Sequence, residues 1–392
     1  MPADTGPMRV AIVTESFLPQ VNGVTNTVLR VVEHLERRGH RAVVIAPDTP
    51  RGRPSGPTVV GASTPVHRVP AVMVPGVSSL PVGIPTPMIA RVVRDFAPDI
   101  VHLASPFVLG AVGARAARRL DVPTVAVFQT DVAGFAATYR ARFASRSAWR
   151  HLRRLHSSCE RTLAPSSATA ADLRAHGIPR VHRWGRGVDI ERFGPEYADE
   201  DLIAVWSGAA DDRERKLVVG FVGRLAPEKE LMKLAPLAAD PGVQLVLVGD
   251  GPERRRLAAA MPGAVFTGEL HGDELARAYA GLDVFVHAGR HETFCQTIQE
   301  AMATGLPVVG PYAGGPRDLI AHCRTGFLLD PDQFEAKLPA AIDALRDSTV
   351  RARFGAAGMA LVRTRTWSSV CEELLGHYAA VLDGGDGARI AG

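Results

Sequence analysis

Lysine is nearly missing from this chain: four of its 45 basic residues are Lys, at Lys216, Lys229, Lys233 and Lys337, and the rest are Arg. With Arg as the default cation, a Lys inside a motif gains interest. Cysteine is also scarce. Cys159, Cys295, Cys323 and Cys371 are scattered without paired or metal-ligand spacing, so they read as free thiols in a reducing compartment. Apolar runs such as residues 217–222 and 245–248 fall far below the roughly 18 residues that a membrane span needs. Residues 1–7 lack a basic segment leading into an apolar one, so no secretory leader is expected. The first βα unit contains neither G-x-G-x-x-G nor a Walker A sequence, which argues against ordinary dinucleotide and ATP sites. A hydrolase triad lacks its Gly-x-Ser-x-Gly elbow.

What is present is a globular composition. Hydrophobic residues make up 46% and charged residues 22%, enough to bury a core. A length of 392 residues suits two domains better than one. The net charge of +4 hides an asymmetry: residues 1–200 hold 25 Arg against 16 acidic residues, and residues 201–392 hold 20 basic against 25 acidic. A basic first half and a mildly acidic second half point to different partners.

Short β-branched runs alternate with helical periodicity along the chain, which predicts βαβ units and parallel sheets, an α/β fold. A strand at 10–14 runs into a loop over 15–23 and a helix over 25–38, with Val28, Val31, Val32 and Leu35 on one face. Further strands are predicted at 42–46, 100–103, 124–128, 161–164 and 181–184. Residues 47–87, rich in Pro, Gly and Ser, read as a long, partly ordered excursion. The pattern pauses around 193–208, which sets domains at 1–193 and 194–366, with a C-terminal helix in 367–392 packing back on the first. In the second series, strands at 217–222, 243–248, near 265, 284–287 and 307–309 alternate with helices at 230–237, 253–260, 273–279 and 294–304. Two Rossmann-like halves facing each other would place a site in the interdomain cleft, beyond the carboxyl ends of strands.

The loop over 15–23 ends in Asn22-Gly23 at a helix start, where free amides and a partial positive charge suit a phosphate. Asn-Gly before a helix is also an ordinary turn. Gly223-Arg224-Leu225-Ala226-Pro227-Glu228-Lys229-Glu230 is more specific. Arg224 and Lys229 leave the carboxyl end of a parallel strand, where two cations would neutralise a diphosphate and stabilise charge growing on a leaving nucleotide. The alternative is an exposed loop with a Glu228–Lys229 surface pair. The richest stretch is Glu292-Thr293-Phe294-Cys295-Gln296-Thr297-Ile298-Gln299-Glu300, between a strand and a helix. It offers a carboxylate in the loop and another on the helix, both good bidentate acceptors for sugar or ribose hydroxyls. Amides around 294–297 suit a phosphate.

Asp330-Pro331-Asp332 has the Asp-x-Asp form that metal-dependent transferases use. Its place between an apolar run and a helical pattern reads instead as an N-cap with Pro at the first helical position. His34, His102 and His287 are read as packing or cleft polar residues, and no metal ligand is assigned. Between Arg140 and Arg154 stand six Arg and no acidic residue. Arg142, Arg146, Arg150, Arg153 and Arg154 share one side of a helical pattern, with Phe143, Trp149, Leu152 and Leu155 interleaved. Such a helix suits an anionic membrane surface, at about 1 kcal/mol per basic residue; a solvated face over a core stripe is the alternative. No nucleic-acid module accompanies it.

The motifs Gly223-Arg224…Glu228-Lys229, Val248-Gly249-Asp250-Gly251-Pro252, Glu292-x7-Glu300 and Gly305-Leu306-Pro307-Val308-Val309 stand in the order of the retaining GT-B glycosyltransferases. That family includes bacterial phosphatidylinositol and glycolipid mannosyltransferases. Residues 16–24, Phe128-Gln129-Thr130-Asp131, and Gly187-Val188-Asp189 with Phe193 also fit, so the resemblance spans nearly the whole chain. It looks most like the actinobacterial GDP-mannose-dependent α-mannosyltransferases that act on membrane glycolipids.

The resemblance implies a GT-B fold with an acceptor-side first domain and a nucleotide-sugar-binding second domain. It implies that Gly23, Arg224 and Lys229 meet the donor diphosphate, that Asn22 and Gly223 also bind the donor, that Glu292 holds hydroxyls of the hexose, and that Glu300 holds the ribose. Leu270 would border the base, and Phe294, Cys295, Gln296 and Thr297 would line the donor. Gln129 stands where many relatives carry a His that reaches the sugar, and an amide cannot act as a base. Cys295 stands where Gly is usual and Arg186 where Asn often is; Asp131 and Arg186 fall on the acceptor or sugar side. The implied activity is transfer of mannose from GDP-mannose to a lipid-borne acceptor, with retention and with no metal or other cofactor. The implied location is the cytoplasm, at the inner face of the cell membrane. No carboxylate is an obvious nucleophile, which favours front-face departure with the leaving phosphate accepting the proton. The alternatives are a UDP- or ADP-sugar transferase with a soluble acceptor, and a non-catalytic nucleotide-sugar-binding protein.

Overall fold

Strands buried on both faces read as continuous apolar runs, and they belong to parallel sheets. The chain supplies two sets of them. The computed structural model describes residues 6–49, 56–73, 81–129, 142–208 and 215–384. It divides into two compact units, Met1–Gly185 with Ser368–Gly392, and Arg186–Trp367.

The first unit contains β1 (Arg9–Thr14), β2 (Arg41–Pro47), β3 (Val59–Val60), β4 (Thr64–Val69), β5 (Ala71–Met73), β6 (Pro81–Gly83), β7 (Ile100–Ala104), β8 (Thr124–Val127), β9 (Arg161–Ala164) and β10 (Val181–Arg183). Among the described residues they form an eight-stranded sheet in the order β10-β9-β8-β7-β1-β2-β4-β3, beside a β5-β6 ribbon. Within the large sheet every pairing is parallel except β3 with β4. Within residues 47–87, the described stretches 56–73 and 81–87 contain β3 to β6. They carry β4 into the main sheet beside β2, because Val66 and Val69 have a buried face to fill.

The C-terminal helix Trp367–Leu382 is part of this unit's core: Val370, Cys371, Leu374 and Tyr378 pack with residues of β1, β7 and β8. Polar contacts fix its position. Trp184 Nε1 donates to Val370 O at 2.8 Å, His102 Nδ1 lies 2.7 Å from Tyr378 Oη, and His34 Nε2 lies 2.9 Å from Glu372 Oε1. His34 and His102 are thus packing residues.

The second unit contains β11 (Leu217–Val222), β12 (Val243–Val248), β13 (Val265–Gly268), β14 (Val284–Val286), β15 (Val308–Pro311) and β16 (Gly326–Leu329). They form one parallel sheet in the order β13-β12-β11-β14-β15-β16. Residues 186–193, expected in the first domain, belong here. Val188 N donates to Arg365 O at 2.9 Å, and Val188 and Phe193 are buried with Trp206 and Tyr279. The helix expected over 230–237 is instead a 3-10 turn at Leu231–Leu234 and a short helix at Ala235–Ala238. Glu230, left-handed at φ 52°, breaks the pattern.

Candidate active site

In an open α/β sheet, ligands bind beyond the carboxyl ends of the strands where strand order reverses. In the second unit those strands are β11 and β14. β11 runs into Gly223, Arg224 and the 3-10 turn Pro227–Lys229; β14 runs into His287 and the loop bearing Glu292. Topology therefore brings both motifs to one sheet edge.

Two glycine turns brace these loops. Gly249, at φ 131°, lies so close to the first loop that a Cβ would sit 2.1 Å from Gly223 O. Leu225 N and Asp250 O pair at 2.9 Å alongside. Gly315 N donates to Glu292 O at 2.7 Å, and a Cβ there would sit 2.1 Å from Phe294 O. Replacing Gly249 by Ala forces the backbone apart, at about 1–3 kcal/mol for overpacking plus about 1 kcal/mol for the backbone conformation. The expected result is a lower urea midpoint with unchanged slope.

The centre of the site is an ion pair. Lys229 Nζ donates to Glu292 Oε1, and His287 Nε2 lies 3.4 Å from the same oxygen. Burial alone would raise the Glu292 carboxyl, but Lys229 and His287 hold it well below the usual carboxylate range. Burial opposes the charge on His287 as well, yet the Cys295 sulfur and Glu292 beside it push the imidazole up to about 9. Lys229 follows the same logic, with Glu292 outweighing desolvation and raising the ammonium. Arg224, by contrast, is exposed and has no ion-pair partner among the described residues. One cation is engaged and one is available.

Behind the pair, Arg290 ties the two loops together. Its Nε donates to Glu230 Oε1 at 3.1 Å, Nη1 to Asp332 Oδ1 at 2.7 Å, and Nη2 to Pro331 O at 3.0 Å. Asp332 is thus paired with a guanidinium. Asp330 does not cap a helix: its Oδ1 accepts from Asp332 N at 2.8 Å, and the helix Phe334–Ala344 starts later, with Gln333 at the N-cap.

The chain enters the helix Gln296–Ala303 through Cys295, left-handed at φ 77°, so this helix begins two residues later than expected. Phe294 is 5% exposed and Cys295 6%, so Phe294 can offer a ligand only its main chain. Gln296 Nε2 donates to Gly187 O at 2.9 Å, and Thr297 O lies 3.5 Å from Tyr279 Oη. Gly223 N is engaged with Val248 O at 2.9 Å. Leu270 is half-buried against the core of this unit. Tyr279 Oη donates to Glu300 Oε2 at 2.8 Å. Burial pushes the Glu300 carboxyl up to about 7, against the opposing pull of Tyr279, Arg186 and Arg192. Arg186, half-buried, has its guanidinium drawn down to about 10 by burial despite the charges of Glu292, Cys295 and Glu300.

In the first unit the same topology places the loop after β1 at a reversal point, between β1 and β7. Asn22 caps the helix Gly23–Arg37: its Oδ1 accepts from Val24 N and Thr25 N at 3.0 Å, and its Nδ2 donates to Ser16 Oγ. Its side-chain oxygen is thereby committed to the helix, and Gly23 is the first helical residue. Gln129 follows β8 and is 6% exposed. Asp131 lies outside the described residues. The basic helix spans Arg142–Ser157, with Arg146, Arg150, Arg153 and Arg154 exposed and Leu152 and Leu155 buried; the Arg142 side chain lies outside the described residues. Trp149 is not free for a membrane, because its ring stacks on His176 at 3.6 Å and packs beside Phe128. Among the described residues, no helix is long and apolar enough to cross a membrane.

The sequence patterns pass over Tyr279 and Arg290, and give His287 as a packing or cleft polar residue. A signal was available for His287, since His287, His291, Glu292 and Cys295 crowd one short loop.

Residues 21–192 match the model of Glycosyltransferase Family 4, and residues 216–347 that of Glycosyl transferases group 1. A GDP-mannose-dependent alpha-mannosyltransferase of Mycolicibacterium smegmatis is 60% identical over 96% of this chain and 98% of its own length. One of the same name from Mycobacterium tuberculosis is 56% identical over 95% and 97%. The crystal structure of Anabaena HepE in complex with UDP covers 95% of this chain and 100% of that one, with a TM-score of 0.74 at 20% identity, and so shares the fold. Two parallel Rossmann-like units, the Lys229–Glu292 pair at a sheet's reversal point and these matches lead to one conclusion: the chain is a glycosyltransferase and belongs to the family 4 and group 1 glycosyltransferases.

Proposed function

We propose that the chain transfers mannose from GDP-mannose to a lipid-borne acceptor, with retention and without a metal ion. The donor reading is supported by relatives that carry this name at 60% and 56% identity over nearly their full length. The observation that carries the chemistry is the Lys229–Glu292 pair, with the exposed Arg224 on the same loop as Lys229. Arg224 and Lys229 stabilise the charge that develops on the departing diphosphate, where fixed cations contribute most. Glu292, kept ionised by Lys229 and His287, accepts hydrogen bonds from hexose hydroxyls. Already paired with Lys229, it is a poor nucleophile. The acceptor oxygen therefore bonds to the anomeric carbon on the face from which the phosphate leaves, and the acceptor proton passes to a phosphate oxygen. Gln129 supplies a hydrogen-bonding amide and no base. Glu300 holds the ribose, while the main chain of 294–297 and the segment at Leu270 line the nucleotide.

The acceptor side of the proposal rests on the exposed face of Arg146, Arg150, Arg153 and Arg154. It suits peripheral contact with anionic lipid at the inner face of the cell membrane, at about 1 kcal/mol per charge. Reversing Arg146, Arg150 and Arg154 to Glu is expected to weaken binding to phosphatidylglycerol vesicles at least about tenfold. Equal binding by sedimentation removes this part of the proposal. The activity is tested by following label from GDP-mannose into a chloroform-soluble product and assigning its anomer by NMR. An α-linked mannolipid is expected; a β-linked product or a trapped mannosyl-enzyme contradicts the mechanism.

A further inference from the structure

We propose that His287, Glu292 and Cys295 form a binding site for one thiophilic divalent cation of the Zn²⁺ class, and that the ion blocks transfer by taking Glu292 from Lys229. Each residue offers one ligand atom, and these atoms lie within 4.8 Å of one another. Ligands around a tetrahedral ion with bonds of about 2.0–2.3 Å sit roughly 3.3–3.8 Å apart. The His287–Glu292 separation of 3.4 Å already meets this, so only modest motion of the sulfur is needed.

A second observation points to a ligand. His287 is 1% exposed, and neither ring nitrogen makes a hydrogen bond of good geometry. Buried polar atoms are otherwise almost always satisfied, and an orphan costs about 1–3 kcal/mol. The third ligand comes from a residue held left-handed at φ 77°, where a side chain is disfavoured.

The donor set selects the ion. Sulfur and imidazole with a single carboxylate suit Zn²⁺, whereas Mg²⁺ and Mn²⁺ favour oxygen-rich ligand sets. On binding, the Cys295 thiol and the His287 imidazolium each release one proton to solvent. One nitrogen, one sulfur and one oxygen coordinate the ion, water completes the tetrahedron, and the Lys229 ammonium is displaced. No electron is transferred. Binding stands on the geometry alone; only its inhibitory effect rests on the donor role proposed for Glu292.

The test titrates the purified, chelator-treated chain with Zn²⁺, and with Co²⁺ as an optical probe. Expected are one tightly held ion per chain, a thiolate-to-cobalt charge-transfer band, and inhibition reversed by EDTA. Cys295→Ser and His287→Gln should each weaken Zn²⁺ binding at least about tenfold, while the exposed Cys323→Ser should not. Equal Zn²⁺ binding by Cys295→Ser, or a parent cobalt spectrum without the thiolate band, overturns the proposal. The parent spectrum decides even where a variant fails to fold. Cobalt binding with the band, in a chain that never uses GDP-mannose, keeps the metal site and discards the donor reading.

Discussion

Replacing Lys229 by Ala lowers kcat/KM for sugar transfer by about 10²–10³-fold, the loss seen when one fixed donor to a developing anion is removed. In the proposed mechanism the side chain serves two partners, Glu292 and the donor diphosphate. In the free enzyme it holds Glu292, with both groups about one-fifth exposed, at 21% and 18%. Removing it leaves a carboxylate in a site that disfavours charge. A fully buried pair would lose about 3–5 kcal/mol in this way; partial exposure reduces that to about 1–3 kcal/mol. Adding Glu292→Gln in the Lys229→Ala background should therefore recover stability without recovering rate, a coupling that a double-mutant cycle measures. Lys229→Arg should not rescue activity, because a planar fork does not replace a point charge between carboxylate and phosphate. A Lys229→Ala variant that is less stable yet transfers sugar normally would make the pair purely structural.

Between pH 8 and pH 6 the affinity for GDP-mannose falls, by about tenfold for each unit below the Glu300 transition. In the proposed donor site only the Glu300 carboxylate would accept two ribose hydroxyls, and burial pushes its titration up to about 7. The stability effect has the opposite sign. A carboxyl raised on folding contributes stability that is present below its ordinary pKa and lost as pH rises through about 7. His287, raised to about 9, acts in the same direction: its contribution is present below 6.5 and lost as pH rises through about 9. The free chain should therefore grow more stable from pH 8 to pH 6 while its donor affinity declines. Calorimetric titration with GDP-mannose measures the second trend and urea unfolding the first. In Glu300→Gln the affinity should be weak at every pH. A variant that keeps the parent's pH profile would show that another group titrates.

Much of the second unit was legible in the sequence because its strands are uninterrupted apolar runs. Val218, Val219 and Phe221 are wholly buried, and the glycine after them opens the loop that carries Arg224. The positions of Glu292 in the loop and Glu300 on the helix were legible from the strand before them. What escaped was held by long-range contacts. Arg290 reaches Glu230 and Asp332, 60 and 42 residues away in the chain, and no local pattern announces such a pairing. Cys295 was expected inside a helix; its left-handed backbone follows Phe294, which Gly315 approaches closely, a contact that only tertiary structure reveals. Trp149 was read with the membrane-contact residues because its stacking partner His176, at the C-cap of the helix Ser167–Ala175, lies outside the local pattern. The 185/186 boundary depends on the pairing of Val188 with Thr366, again distant in sequence.

The most direct test of the donor assignment compares GDP-mannose, UDP-glucose, UDP-N-acetylglucosamine and ADP-glucose by thermal shift and slow hydrolysis, each with and without EDTA. The account predicts selective stabilisation and hydrolysis with GDP-mannose, undiminished by EDTA. Preference for a uridine or adenosine donor, or loss of activity on chelation, would contradict it.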